Sequence, residues 1–283
     1  MADTSQHLDL ARALTASFSA FSQVEAIAVA GSLTAEATDA DSDIDLYVYT
    51  TATIPLADRE ALVEERGASR ADLDLRFWDL GDEWYDRPTG IEVDVIYWDT
   101  DWIESTIDRV LVEHQASVGY STSHWYTIRH SLALYDPHGW FQALQDKAAV
   151  PYPEPLRQAV LAKNHPLLRN VIPSYLHQIE KATRRDDWVS VNHRVAALLA
   201  SYFDVLFALN RLPNPGEKRL VEQAEKQCTS VPVEMASQIE RVLHAATGAD
   251  ADLVGQIVVL IDDLDELMVQ EGFDPATSRL RQK

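Results

Sequence analysis

The stretch 31-GSLTAEATDADSDIDLYVYT-50 decides how this chain is read. Its second half, 43-DIDLYVYT-50, alternates and is rich in Ile, Leu, Val and Tyr, the pattern of a β-strand. Two carboxylates, Asp43 and Asp45, stand at the start of that strand. Residues two apart in a strand share a face, with Cα atoms about 6.6–6.8 Å apart. Ionised carboxylates brought to about 4 Å repel by roughly 4 kcal/mol at an effective dielectric near 20. A divalent cation removes that cost, and Mg²⁺ in particular takes carboxylate and substrate phosphate oxygens together.

A third acid has the same setting. The segment 91-IEVDVIYW-98 alternates as a strand and places Asp94 between valines. Glu92 shares its parity and is a second candidate for a proton-accepting role. Upstream, 24-VEAIAVA-30 is a short apolar strand that ends at Gly31-Ser32. Glycine permits close backbone approach to a ligand, the serine adds a hydroxyl, and the free N–H groups of a helical turn starting there would bind an anion. A phosphate cradle beside a carboxylate cluster outlines a metal-assisted phosphoryl-type transfer site.

Gly31-Ser32, ten intervening residues, Asp43-Ile44-Asp45 and then a later apolar–Asp–apolar strand form a pattern that resembles the nucleotidyltransferase superfamily containing DNA polymerase β. The spacing is most similar to the kanamycin and streptomycin nucleotidyltransferases, which also carry a serine before the first acid, here Ser42. The resemblance covers about residues 24–98. It implies that Asp43, Asp45 and Asp94 are the catalytic and metal-binding residues for two Mg²⁺ ions, with Asp94 as third ligand or as the base. It further implies that Gly31, Ser32 and Ser42 contact the nucleotide. The implied reaction transfers a nucleoside monophosphate, AMP from ATP or its equivalent from another NTP, to a hydroxyl of a small acceptor such as an aminoglycoside-like antibiotic.

The remaining chain sets the frame for that site. Residues 1–100 read as helix, strand, strand, helix, strand, strand, with Pro55 near the start of the second helix and Gly67 at its end. In this reading 81-GDEWYDRPTG-90 is a loop. Residues 132–135 read as a last short strand, and the tail beyond Asp274 as frayed. The proline-rich 149-AVPYPEP-155 marks a domain boundary. The expected fold class is α+β: a small mixed-sheet nucleotidyltransferase domain, residues 1–148, followed by an all-α bundle, residues 149–283. The segment 188–209, apolar on most sides, should lie at the bundle centre.

A net charge of −21 disfavours a nucleic-acid polymer as partner, since phosphate backbones require lysine and arginine, and suits a cationic small molecule or a metal. No lysine precedes Lys147, so the triphosphate's positive partner should come from the helical half. Lys218, in 208-ALNRLPNPGEKRL-220, is the best candidate. That stretch is similar to an N-x-x-x-x-P-G-x-K segment in nucleotidyltransferase-like proteins with an appended helical domain. Asn192-His193 reads as a polar pair within an apolar helix. Asp204 lies among apolar neighbours and calls for an Arg or Lys partner. Trp78, Trp84, Tyr85, Trp98 and Trp102 cluster near the site strands, as core or as a stacking surface for a base or sugar. Asp72 and Asp74 read as a solvent face.

One cysteine, Cys228, excludes an internal disulfide. No apolar run approaches the ~20 residues of a membrane span, and the expected location is cytoplasmic, as monomer or homodimer. The sequence contains no P-loop, no dinucleotide-binding glycine motif and no zinc-type Cys/His spacing. Two further functional readings stand beside the leading one. The chain would act as a regulatory nucleotidyltransferase that adds AMP to proteins or serves as an antitoxin, or as an inactive nucleotide-binding scaffold.

Overall fold

A computed structural model describes residues 2–30, 43–77, 79–248 and 252–280. They form two compact units, residues 1–108 with 127–149, and residues 109–126 with 150–283. The fold class is α+β.

The first unit is built on a six-stranded mixed sheet of order β3-β4-β5-β2-β1-β6. Its strands are β1 (Val24–Val29), β2 (Ile44–Thr50), β3 (Arg70–Leu75), β4 (Leu80–Tyr85), β5 (Glu92–Asp99) and β6 (Leu132–Tyr135). Only the central β2–β5 pair is parallel; its neighbours run antiparallel. The loop expected over 81–90 is therefore a strand in its first half. Gly, Asp and Pro gave that segment a turn-like composition, yet Asp82 and Trp84 alternate inward while Glu83 and Tyr85 face out, and pairing with β5 decides the outcome.

One face of the sheet is apolar. Ile44, Leu46 and Val48 of β2 and Val93 and Val95 of β5 join Leu10, Leu14 and Phe18 of helix α1 (Ala2–Phe18) and Leu62 and Val63 of helix α2 (Leu56–Arg66) in one buried cluster. Gly67 closes α2 in the left-handed conformation (φ 76°), donating its N–H to Glu64. Within this face lies a buried charge network. Arg59 of α2 pairs with Asp82 and with Asp74, and Asp82 also accepts from the Tyr97 hydroxyl (2.7 Å) and the Asp74 N–H (2.9 Å). Asp74 thus departs from the solvent-face reading. It sits at an irregularity in the β3–β4 register with φ 56°, and that kink turns its carboxylate onto Arg59 and Arg76. Asp72 is exposed and meets Arg70.

The opposite face carries aromatic rings at its far end. Tyr49 packs on Trp140 and Phe141 of helix α5 (Trp140–Ala148), which follows helix α4 (Ser123–His130) and β6, and Trp98 packs on Trp102 of helix α3 (Thr100–Leu111). Asp99 begins α3 by accepting the Trp102 N–H.

The second unit is helical. Its helices include α6 (Glu154–Arg169), α7 (Tyr175–Thr183), α8 (Trp188–Leu209), α9 (Leu220–Gln227), α10 (Met235–Thr247) and α11 (Leu253–Gln270). Helix α8 supplies the centre of the core from Val191 to Leu209. Asn192 and His193 are exposed rather than enclosed, because the first turns of α8 bury only one side. The tail is also corrected. Phe273–Asp274 pairs with Arg279–Leu280, and buried Ser278 sits 2.8 Å from Nδ1 of buried His165, whose Nε2 meets Asp265 at 2.6 Å.

Asp204 is buried in α8, and its partners are neutral. It accepts from the Ser121 N–H on both oxygens and from the side-chain amides of Asn164 and Asn214. Burial pushes its pKa up to about 6, against the hydrogen bonds of Ser121, Asn214 and Asn164, which pull it down. A folded-state value raised above the unfolded one stabilises fully below the unfolded pKa near 4 and is lost as pH rises through 6. Relative to Asp204→Asn, the wild-type protein should therefore gain about 2 kcal/mol between pH 7 and pH 4. Urea midpoints of the two proteins across that range check it; a constant difference would refute it.

Candidate functional site

The site lies on the sheet face away from α1 and α2, and strand register builds it. Parallel pairing sets Asp45 of β2 directly beside Asp94 of β5. Antiparallel pairing sets Glu83 of β4 beside Asp94 on its other side. Aligned residues on neighbouring strands point to the same face, at a strand spacing of about 4.8 Å. A row of three carboxylates, Glu83–Asp94–Asp45, thus crosses three adjacent strands. Asp43, just before β2, is half-buried like Asp45 and Asp94. Just past β1, the Ala30 N–H donates to the Asp45 backbone carbonyl (3.1 Å). Like charges directly opposite one another destabilise a sheet.

Gly81, two residues from Glu83, lets β4 lie close against the β5 backbone. A Cβ built at Gly81 would stand 4.0 Å from Asp94 Oδ1 and only 3.0 Å from the Val95 carbonyl oxygen. Beyond the row, Tyr47 shares the face and packs at a tilt against Trp98, with ring centroids 4.6 Å apart. Burial first, then the charges of Asp45, Asp94 and Asp79, push the Tyr47 phenol well above its ordinary range, and a hydrogen bond with Thr127 partly offsets this. Tyr47 therefore stays a neutral hydroxyl beside the carboxylates. Asp79 is fastened by the Trp98 indole N–H (3.0 Å). Glu92 also lies on this face, but its Oε2 already accepts from the Tyr85 hydroxyl (3.0 Å).

Of the residues singled out in the sequence, Asp45 and Asp94 are brought together on one face, and Asp43 precedes them in the same strand line. Gly31, Ser32 and Ser42 lie outside the described residues, as does Trp78. Lys218 is exposed in the turn that leads into α9 of the second unit. Trp84 is core on the apolar face, 2% exposed, whereas Trp98 and Trp102 belong to the aromatic end of the site face. Sequence reasoning missed Glu83, Asp79 and Tyr47. Parity in 80-LGDEWY-85 would have revealed Glu83 had that segment been taken as a strand.

Among the described residues, no group of three or more His, Cys, Asp or Glu side chains is placed to hold a metal ion. Mg²⁺ is usually held by one or two carboxylates together with substrate phosphates and water, not by an all-protein cage. The neighbouring Asp45 and Asp94, with Asp43 close in sequence, offer only hard oxygen donors. That donor set fits such an ion.

No family model matches the sequence, and no curated protein matches it. Among solved structures, the chain is similar to a nucleotidyltransferase-like protein from Exiguobacterium sibiricum 255-15. Identity is 11%, the match covers 94% of this chain and 76% of that one, and the TM-score is 0.42. The likeness is distant, and the functional reading rests on the residues above.

No helix among the described residues is long and apolar enough to cross a membrane.

Proposed function

We propose that this protein is a nucleotidyltransferase that moves a nucleoside monophosphate from an NTP, with ATP the first choice, to a hydroxyl of a small molecule. The observation that carries this reading is the register of β2 and β5, which puts Asp45 beside Asp94 on one face of the sheet. Asp43, Asp45 and Asp94 would hold Mg²⁺, which when bound neutralises triphosphate charge and polarises the phosphoryl group. The acceptor oxygen forms a bond to the α-phosphorus as the bond to the pyrophosphate oxygen breaks. The acceptor's proton passes to a carboxylate of this face, Asp94 or Glu92, the latter also accepting from the Tyr85 hydroxyl. Gly31, Ser32, Ser42 and Lys218 are the proposed phosphate contacts. The net charge of −21 favours a cationic acceptor, so aminoglycosides head the panel to be tried.

Incubation of the purified chain with α-labelled ATP, Mg²⁺ and hydroxylated acceptors tests the reading. The expected result is pyrophosphate release with label on an acceptor. Label on protein side chains would move the assignment to protein AMP addition, and no release with any acceptor or protein would refute transfer.

A further inference from the structure

The helix-covered face of the first unit holds a cavity of about 610 Å³, within the usual size range of small-molecule pockets. It is bounded by α1 (Gln6, Asp9), the end of α2 (Glu65, Arg66) and the β4–β5 turn (Asp86, Thr89). It does not share residues with the carboxylate row and does not depend on the function proposed above.

Two of its groups are left unfinished. Arg66 makes no ion pair among the described residues, and its Nε is buried without a hydrogen-bond partner. Buried charged donors are costly to leave unsatisfied, and such a group in a native fold calls for an explanation. Asp86 is 3% exposed. Its Oδ2 accepts from the Thr89 N–H (3.1 Å) and hydroxyl (2.6 Å), while Oδ1 receives no hydrogen bond among the described residues. A guanidinium and a carboxylate thus border one cavity without closing on each other.

We propose that this cavity binds a small zwitterion, of the size of an amino acid or dipeptide, with its carboxylate on Arg66 and its ammonium group on Asp86. An anion alone would meet Asp9, Glu65 and Asp86, and a cation alone would meet Arg66. A molecule carrying both charges satisfies both ends. A guanidinium is also suited to a carboxylate through paired N–H donors.

Calorimetric titration of the full chain with glycine, glycylglycine, acetate and methylammonium tests this. One or both zwitterions should bind, with each singly charged ion weaker by about tenfold or more, which is about 1.4 kcal/mol. Arg66→Gln, a change at a half-exposed position, should weaken zwitterion binding by a similar factor while the thermal midpoint holds. Asp86→Asn, read only if its midpoint also holds, should do the same. The assignment is overturned if neither zwitterion binds at about 10 mM, a concentration that detects even the weak millimolar affinities. It is also overturned if acetate or methylammonium binds as well as the zwitterions, or if Arg66→Gln has no effect.

Discussion

Asp45→Asn should lower the proposed nucleotidyl transfer by about a thousandfold, and Asp94→Asn should do as much, since loss of one preorganised charge-stabilising group at a transfer site costs on that scale. Glu83, Asp94 and Asp45 stand abreast on three strands. Adding Mg²⁺ should raise the midpoint of the parent and leave that of the variant nearly unmoved, because ligand binding stabilises only a fold that binds it. Asp72→Asn, at an exposed edge-strand acid paired with Arg70, is the control and should change neither reading. Melting curves with and without Mg²⁺, beside an activity assay, separate the outcomes. If Mg²⁺ shifts parent and Asp45→Asn equally, the carboxylate row does not hold the ion.

The second large effect concerns stability. Arg59→Leu should cost about 3–5 kcal/mol, since it leaves the fully buried Asp82 without its cation. Against a typical domain stability of 5–15 kcal/mol, that is a large share. Replacing both partners, Arg59→Leu with Asp82→Leu, should recover much of the loss, because two apolar groups of similar volume cost less than one stranded charge. Recovery should remain incomplete. The Tyr97 hydroxyl and the Asp74 N–H both donate to Asp82 and would lose their acceptor. Adding Tyr97→Phe should regain a further part. Urea unfolding of the four proteins measures this, and a double variant no better than the single one would refute it. The network also bears on the site, because Asp82 aligns with Val95 and so fastens β4 to β5 beneath Asp94.

Much of the fold was legible in the sequence. Period-two alternation identified β2 and β5, and the side-chain parity of a strand placed Asp43 with Asp45 and Glu92 with Asp94. The 188–209 helix declared its central place by being apolar on most sides. Its first turn did not, since Asn192 and His193 lie where burial is one-sided. Composition misled at β4, where Gly and Asp suggested a loop. An antiparallel partner satisfied the backbone there regardless of propensity. For Asp204 the sequence called for a cation, and the fold instead gathered the Ser121 backbone with two asparagine amides from distant positions.

By itself, the sequence determined which acids share a strand face, because that follows from a two-residue repeat internal to each strand. It could not determine that Asp45 stands beside Asp94, or that Glu83 extends the row. Those neighbours come from strand order and register, set by which apolar side chains of β2, β4 and β5 bury together under α1 and α2. Arg66 and Asp86 are a case of the same kind. They are twenty residues apart along the chain, and only the packing of a helix end against a turn sets them around one cavity.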